Sequence, residues 1–250
     1  MIYIKNQYEI EMIRQAAEIW KKIRAVLSKE AKQGVSLSYL DNLANDIAIN
    51  SNATMSFYRY GDFPGHICIS VNDQLIHGVP NDYILQNGDL VTFDVGVTYQ
   101  SYVCDAAYSI IVGGKNQNPK ALKIYDATVD CLSKAIEQIK PGNYVGDIES
   151  AIYTTAKDHG YEVIKDFTGH GCGIKLHEDP IIRCFGIIKT GPILRPGMTL
   201  CIEPMLLTKS DQYYIDKKNH WTVIAKNHEL TCHEEHMVLV TEDGCEILTA

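Results

Sequence analysis

The chain has 250 residues, 46% hydrophobic and 22% charged, with a net charge of −8 and eight cysteines. That balance fits a soluble globular chain with a large core. It excludes a dense basic surface built for nucleic acid, and no apolar run approaches the ~18 residues of a membrane span.

Residues 7–31 carry Ile10, Ile13, Ala17, Trp20, Ile23 and Leu27 at helical spacing, which predicts a long amphipathic helix ended at Gly34. A second helix is expected over 38–50, with Ser38 as N-cap and Asp41 completing a capping box. Tyr58, Tyr60, Phe63, Pro64 and Gly65 form an aromatic loop. Strands are expected at 66–71 and 75–80, followed by a hairpin of 88–97 and 102–112.

After the polar stretch 113–119 the order repeats, with helices expected at 121–139 and 145–159. Strands are then expected near Cys201, Thr222, Glu235 and Glu246. Gly34 and Gly142 lie 108 positions apart, and Gly88 and Gly197 lie 109 apart. Two landmarks with nearly one offset point to two similar halves, read as one α/β domain with antiparallel sheet and helices on one face.

Residues 1–6 lack the basic, apolar and small-residue succession of a signal peptide. No Cys-x-x-Cys pair occurs. Free thiols in a cytoplasmic protein are therefore expected.

The unusual feature is a set of acids inside strand-like apolar runs. Asp94 ends the run Leu90-Val91-Thr92-Phe93, Asp105 follows Tyr102-Val103-Cys104, and Glu203 follows Leu200-Cys201-Ile202. Glu235 opens the run 235–240, and aligning Gly88 with Gly197 sets Asp94 on Glu203. Buried carboxylates are normally paired or bound to a cation. Two carboxylates ~4 Å apart repel by about 4 kcal/mol at an effective dielectric of ~20. Asp94, Asp105, Glu203 and Glu235, with His170, would make an oxygen-rich donor set suited to Mn, Fe(II), Co or Zn. An acid in a hairpin is also an ordinary edge residue and a strand histidine an ordinary core residue, so spacing alone leaves both readings open. His66, His159, His220, His228 and His233 read as surface or loop residues, and His236 as facing away from Glu235.

Asp94, Asp105, Thr168-Gly169-His170-Gly171-Cys172-Gly173, Leu176-His177-Glu178-Asp179-Pro180, Ile202-Glu203-Pro204 and Glu235-His236 together resemble the type I methionine aminopeptidases. Cys68-Ile69-Ser70-Val71-Asn72 and His77-Gly78-Val79-Pro80 match as well, and the resemblance runs from about residue 7 to 248. It implies the α+β pita-bread fold: one catalytic domain over 1–250, with pseudo-symmetric halves at about 7–113 and 119–248. It implies removal of N-terminal methionine from nascent polypeptides with a small second residue. Two divalent ions, Co, Mn, Fe(II) or Zn, would serve, with a bridging water as nucleophile. Asp94 would chelate one ion, Asp105 and Glu235 would bridge both, and His170 and Glu203 would complete the other. Glu203 would also carry the water's proton to the departing amine. His177 would donate to the scissile carbonyl oxygen, and His77 would meet the amide nitrogen or the next backbone group. Tyr60, Phe63, Cys68, Leu176 and Trp221 would wall the methionine slot.

The chain departs from the family pattern in places. Leu176 stands where many relatives carry phenylalanine, and Gly96 where some carry threonine; Val103-Cys104 replaces a His-Gly or similar pair, and Glu234 adds an acid. With Ile2 second, the chain's own Met1 is expected to be retained. The N-terminal extension of longer type I relatives and the inserted helical segment of type II enzymes are not seen. A monomer with transient ribosome association is expected, without nucleic-acid or membrane partners. Two alternatives share the fold: an X-Pro aminopeptidase or dipeptidase, which usually carries a further N-terminal domain, and a non-enzymatic binding relative, which lacks ligands. Metal-free creatinase-like chemistry would leave the acids uncompensated.

Overall fold

A computed structural model describes residues 1–250. The first half runs α1 (Gln7–Glu30), α2 (Leu37–Asn50), β1 (Thr54–Met55), β2 (Cys68–Val71), β3 (Gln74–Ile76), β4 (Leu90–Tyr99) and β5 (Tyr102–Ile111). The second runs α3 (Pro119–Ile136), α4 (Val145–Asp158), β6 (Glu162–Val163), β7 (Thr168–Gly171), β8 (Glu178–Arg183) and β9 (Thr199–Ile202). It ends with β10 (Met205–Leu207), β11 (Tyr213–Ile215), β12 (Val223–Ala225), β13 (Thr231–His233), β14 (His236–Val240) and β15 (Cys245–Ile247).

Asn6 caps α1 through its side chain, and Glu9 returns a bond to the cap amide. The helix buries Ile13, Ala17, Trp20, Ile23 and Leu27 against β4 and β5, while Ile10 is half-buried. Each fully buried large apolar side chain contributes roughly 1.5–3 kcal/mol. The Trp20 indole also donates to the Ala106 carbonyl at 3.0 Å, which fixes the helix on β5. The cap of α2 is Ser36, two residues before the expected Ser38, because the Ser36 hydroxyl accepts from the Tyr39 amide. The Asp41 carboxylate instead accepts from the His66 and Ile67 amides and meets the His66 ring. It ties α2 to the approach to β2.

All named strand pairs are antiparallel, in four sheets rather than one. β4 lies between β2 and β5; β7 pairs with β8 and β9, and β9 with β14. α3 packs on β9, β10 and β13, and α4 on β6 and β8. Along β4, Val91, Phe93, Val95 and Val97 join the core beneath α1. The two-residue period therefore turns Asp94 and Gly96 to the other face.

The halves echo each other in hydrogen bonding. Gly34 donates to Leu85 and Gly142 to Leu194; Leu85 donates back to Val35 and Leu194 to Asn143. Gly34 and Gly142 have φ of 91° and 90°, and Gly88 and Gly197 have φ of 90° and 87°. Only glycine adopts that left-handed backbone without penalty, so the glycines that set the offset also hold the same turns.

Candidate metal centre

Asp94 lies between Cys68 on β2 and Ala107 on β5, and Gly96 is opposite Asp105. The diagonal register puts both acids on the face away from α1. On the other half, His170 is opposite Cys201, and Glu203 follows two positions after Cys201. Gly169 permits this approach: a Cβ there would come 2.5 Å from the Cys201 carbonyl and 3.3 Å from Glu203 Cγ. Glu235 comes just before β14, and its amide donates to the Ala107 carbonyl at 2.9 Å, which joins the halves at the site.

One cavity of about 620 Å³ is lined by Asp94, Asp105, His170, Glu203 and Glu235. His170 Nδ1 lies 2.9 Å from the Gly171 carbonyl, which can only accept. The proton therefore sits on Nδ1, and Nε2 presents a lone pair. That lone pair faces Glu203 Oε1 at 3.6 Å and Asp105 Oδ2 at 3.9 Å. Lone pair against carboxylate is repulsive unless a cation lies between. Asp105, His170, Cys201 and Glu235 have donor atoms mutually within 4.8 Å. Asp94 is outside that group, yet its charge raises Asp105, Glu203 and Glu235.

The electrostatics point the same way. Burial pushes Asp94 up to about 7. Burial and then neighbouring acids push Asp105, Glu203 and Glu235 well above the carboxylate range. Burial lowers His170 to about 3, leaving it neutral and free to ligate. Asp94 Oδ1, Asp105 Oδ1 and Glu235 Oε1 are buried without hydrogen-bond partners, and such groups are costly to leave unpaired. Divalent cations would satisfy those oxygens and offset the repulsion, so the donor set fits metal ions.

His77, His177, Tyr60, Phe63, Cys68, Leu176 and Trp221 line the same cavity. The His177 ring stands on His170 with centroids 4.4 Å apart, and the Tyr60 hydroxyl meets His177 Nδ1 at 2.8 Å. Trp221 packs edge-on against Phe63 and His77. Burial lowers His77 to about 4 and also lowers His177, so both are neutral near pH 7. His236 turns away and meets the Thr249 hydroxyl.

Sequence reasoning missed part of the wall: Phe57, Ile76 and Phe167. A Cβ on Gly96 would come 2.6 Å from the Phe57 ring, which explains why no larger residue stands there. His233 requires a correction. Expected at the surface, it is 1% exposed, with Nε2 at 3.6 Å from Glu203 Oε2. Its spacing of two from Glu235 was the available clue, since such residues share a face in extended chain.

A family model described as metallopeptidase family M24 matches residues 11–242. The chain is 41% identical over 252 residues to a methionine aminopeptidase of Mycoplasmoides gallisepticum, covering 100% of both. The crystal structure of methionine aminopeptidase from Rickettsia prowazekii superposes with a TM-score of 0.96 at 33% identity, covering 100% of both chains. The prolidase of Pyrococcus horikoshii OT3 superposes with a TM-score of 0.78 at 26% identity, over 99% of this chain and 63% of that one.

Proposed function

The chain belongs to metallopeptidase family M24, and from that premise we infer that it acts as a methionine aminopeptidase of the pita-bread fold. It removes the N-terminal methionine of nascent polypeptides whose second residue is small. The observation that carries this reading is the unprotonated face of His170 turned on Asp105 and Glu203 beside an apolar slot. Full-length similarity to methionine aminopeptidases favours it over an X-Pro enzyme, whose example here matches over 63% of its length.

Asp94, Asp105, His170, Glu203 and Glu235 would hold two divalent ions drawn from Mn, Fe(II), Co and Zn. Such ions, when bound, lower the pKa of a water toward neutrality and polarise a carbonyl. The protein's own groups do the rest. Phe63, Cys68, Leu176 and Trp221, with Phe57 and Tyr60, take up the methionine side chain and exclude water around it. The Glu203 carboxylate receives the proton given up by the attacking water and passes it to the departing amine. His177, neutral and carrying its proton on Nε2, donates to the carbonyl oxygen as negative charge builds there. His77 meets the scissile amide or the next backbone group.

No helix is long and apolar enough to cross a membrane. Action in the cytoplasm, as a monomeric single domain with transient ribosome contact, completes the proposal. The test is hydrolysis of Met-Ala-Ser and Ala-Pro-Ala after chelation and stepwise return of each metal. Metal-dependent release of methionine from the first peptide is expected. Preferential cleavage of the second would replace the reading with the X-Pro one, and activity untouched by chelation would remove the metal centre.

A further inference from the structure

His233 sits on β13, opposite Met205 on β10 and two residues before Glu235. Neither ring nitrogen has a hydrogen-bond partner, although the side chain is 1% exposed. An unpaired buried polar group costs roughly 1–3 kcal/mol, so such a ring calls for a partner. Its Nε2 lies 3.6 Å from Glu203 Oε2 and 3.9 Å from Glu235 Oε2. Both separations exceed ordinary hydrogen bonds.

They match instead the spacing of donor atoms around a shared cation. Two ligands each ~2.1 Å from an ion, at a tetrahedral angle, stand ~3.4 Å apart. His170 shows the same pair of separations, 3.6 Å to Glu203 Oε1 and 3.9 Å to Asp105 Oδ2. The Glu203 carboxylate is thus flanked by two imidazoles, one at each oxygen. Glu203, His233 and Glu235 also form a group of mutually close donors in their own right.

We propose that His233 is a sixth protein ligand of the metal centre, binding an ion together with Glu203 Oε2 and Glu235 Oε2. The five-residue set implied by resemblance contains one imidazole; this chain brings two. A neutral imidazole has one ring nitrogen with a lone pair to give, and both ring nitrogens of His233 are without a hydrogen-bond partner. A second nitrogen donor shifts preference from Mn toward Co and Zn, which accept imidazole more readily than oxygen-seeking ions do. The inference rests on the reading of this cavity as a metal centre.

The test uses the full chain stripped of metal and titrated with Co(II) alone, followed by calorimetry and by proton NMR of paramagnetically shifted imidazole N–H lines. The wild type should show two such lines, and His233→Gln one. Co(II) affinity at one site should fall by more than ~100-fold, beyond what loss of a hydrogen-bond partner to a ligand causes. One line in the wild type, or two lines kept in the variant, would overturn the sixth ligand while leaving the metal centre intact. No Co(II) binding by the wild type would overturn the metal centre itself. His233→Asn serves where the glutamine variant does not fold, and metal-free thermal midpoints near wild type confirm that either variant is intact.

Discussion

At the scale of single residues, the Tyr60 hydroxyl decides what His177 can do. The hydroxyl meets Nδ1 across 2.8 Å; when it donates there, the ring proton sits on Nε2, the nitrogen available to a substrate. His177→Ala should therefore lower turnover of Met-Ala-Ser by about 10²–10³-fold, the loss seen when an oxyanion donor is removed. Metal content, measured by elemental analysis, should stay at the wild-type value, because His177 stands edge-on against His170 and is not among the close donors. Metal lost with the ring would make His177 part of the ligand assembly instead. Tyr60→Phe removes one hydrogen bond of about 1 kcal/mol and should slow turnover roughly fivefold. The acids were legible in sequence because a charge within an apolar run is out of place. His233 was not, because Thr231-Cys232-His233-Glu234 has no apolar run to mark it as strand, and its burial comes from β10 far along the chain.

At the scale of elements, the segment between β7 and β8 carries Leu176 and His177, and Glu178 holds it. One carboxylate oxygen accepts from the Ile174 and Lys175 amides, and the other meets Lys5 Nζ at 2.5 Å. The Lys5 and Glu178 side chains are 1% and 0% exposed. Lys5→Met should destabilise the protein by about 3 kcal/mol in urea unfolding, at the low end for breaking a buried pair because the amide donors remain. A change under 1 kcal/mol would mean that water reaches Glu178. The helices were readable because their apolar period spans many turns. β6, β7, β10 and β13 have two to four residues each, too few to show alternation, and β7 reads Thr-Gly-His-Gly. Those strands exist because their partners fix them, which no local pattern records. The glycine offset carried the two-half architecture, since it depends on backbone angles and not on side-chain pattern.

At the scale of the molecule, the site is where the two halves meet: Asp94 and Asp105 come from one, His170, Glu203 and Glu235 from the other. Without cations these acids work against the fold, and pH reveals it. Their folded values are raised, Asp94 to about 7 and the other three well above the ordinary carboxylate value, so the folded chain keeps protons that the unfolded chain releases near pH 4. Stability gained this way is fully present below about pH 4 and is lost as pH rises through 7. His77, His170, His233 and His236 act in the opposite sense, with folded values of about 3 to 4 against 6.5. Their contribution is complete above pH 6.5 and falls only on acidification. Between pH 6.5 and 8.5 these acids, together with Glu234 raised by burial to about 8, therefore set the slope, and the metal-free protein should lose stability as pH rises. Bound cations take the place of those protons and should flatten the dependence. With metal at about 100 times its dissociation constant, binding adds about 2.7 kcal/mol, or roughly 5–10 °C in Tm for a chain this size. Calorimetric melting of chelated and Co(II)-loaded protein across that range should show the gap widening with pH. A gap that stays constant would mean that the four acids are already ionised and paired in the metal-free fold, and that the cations bind without relieving repulsion between the halves.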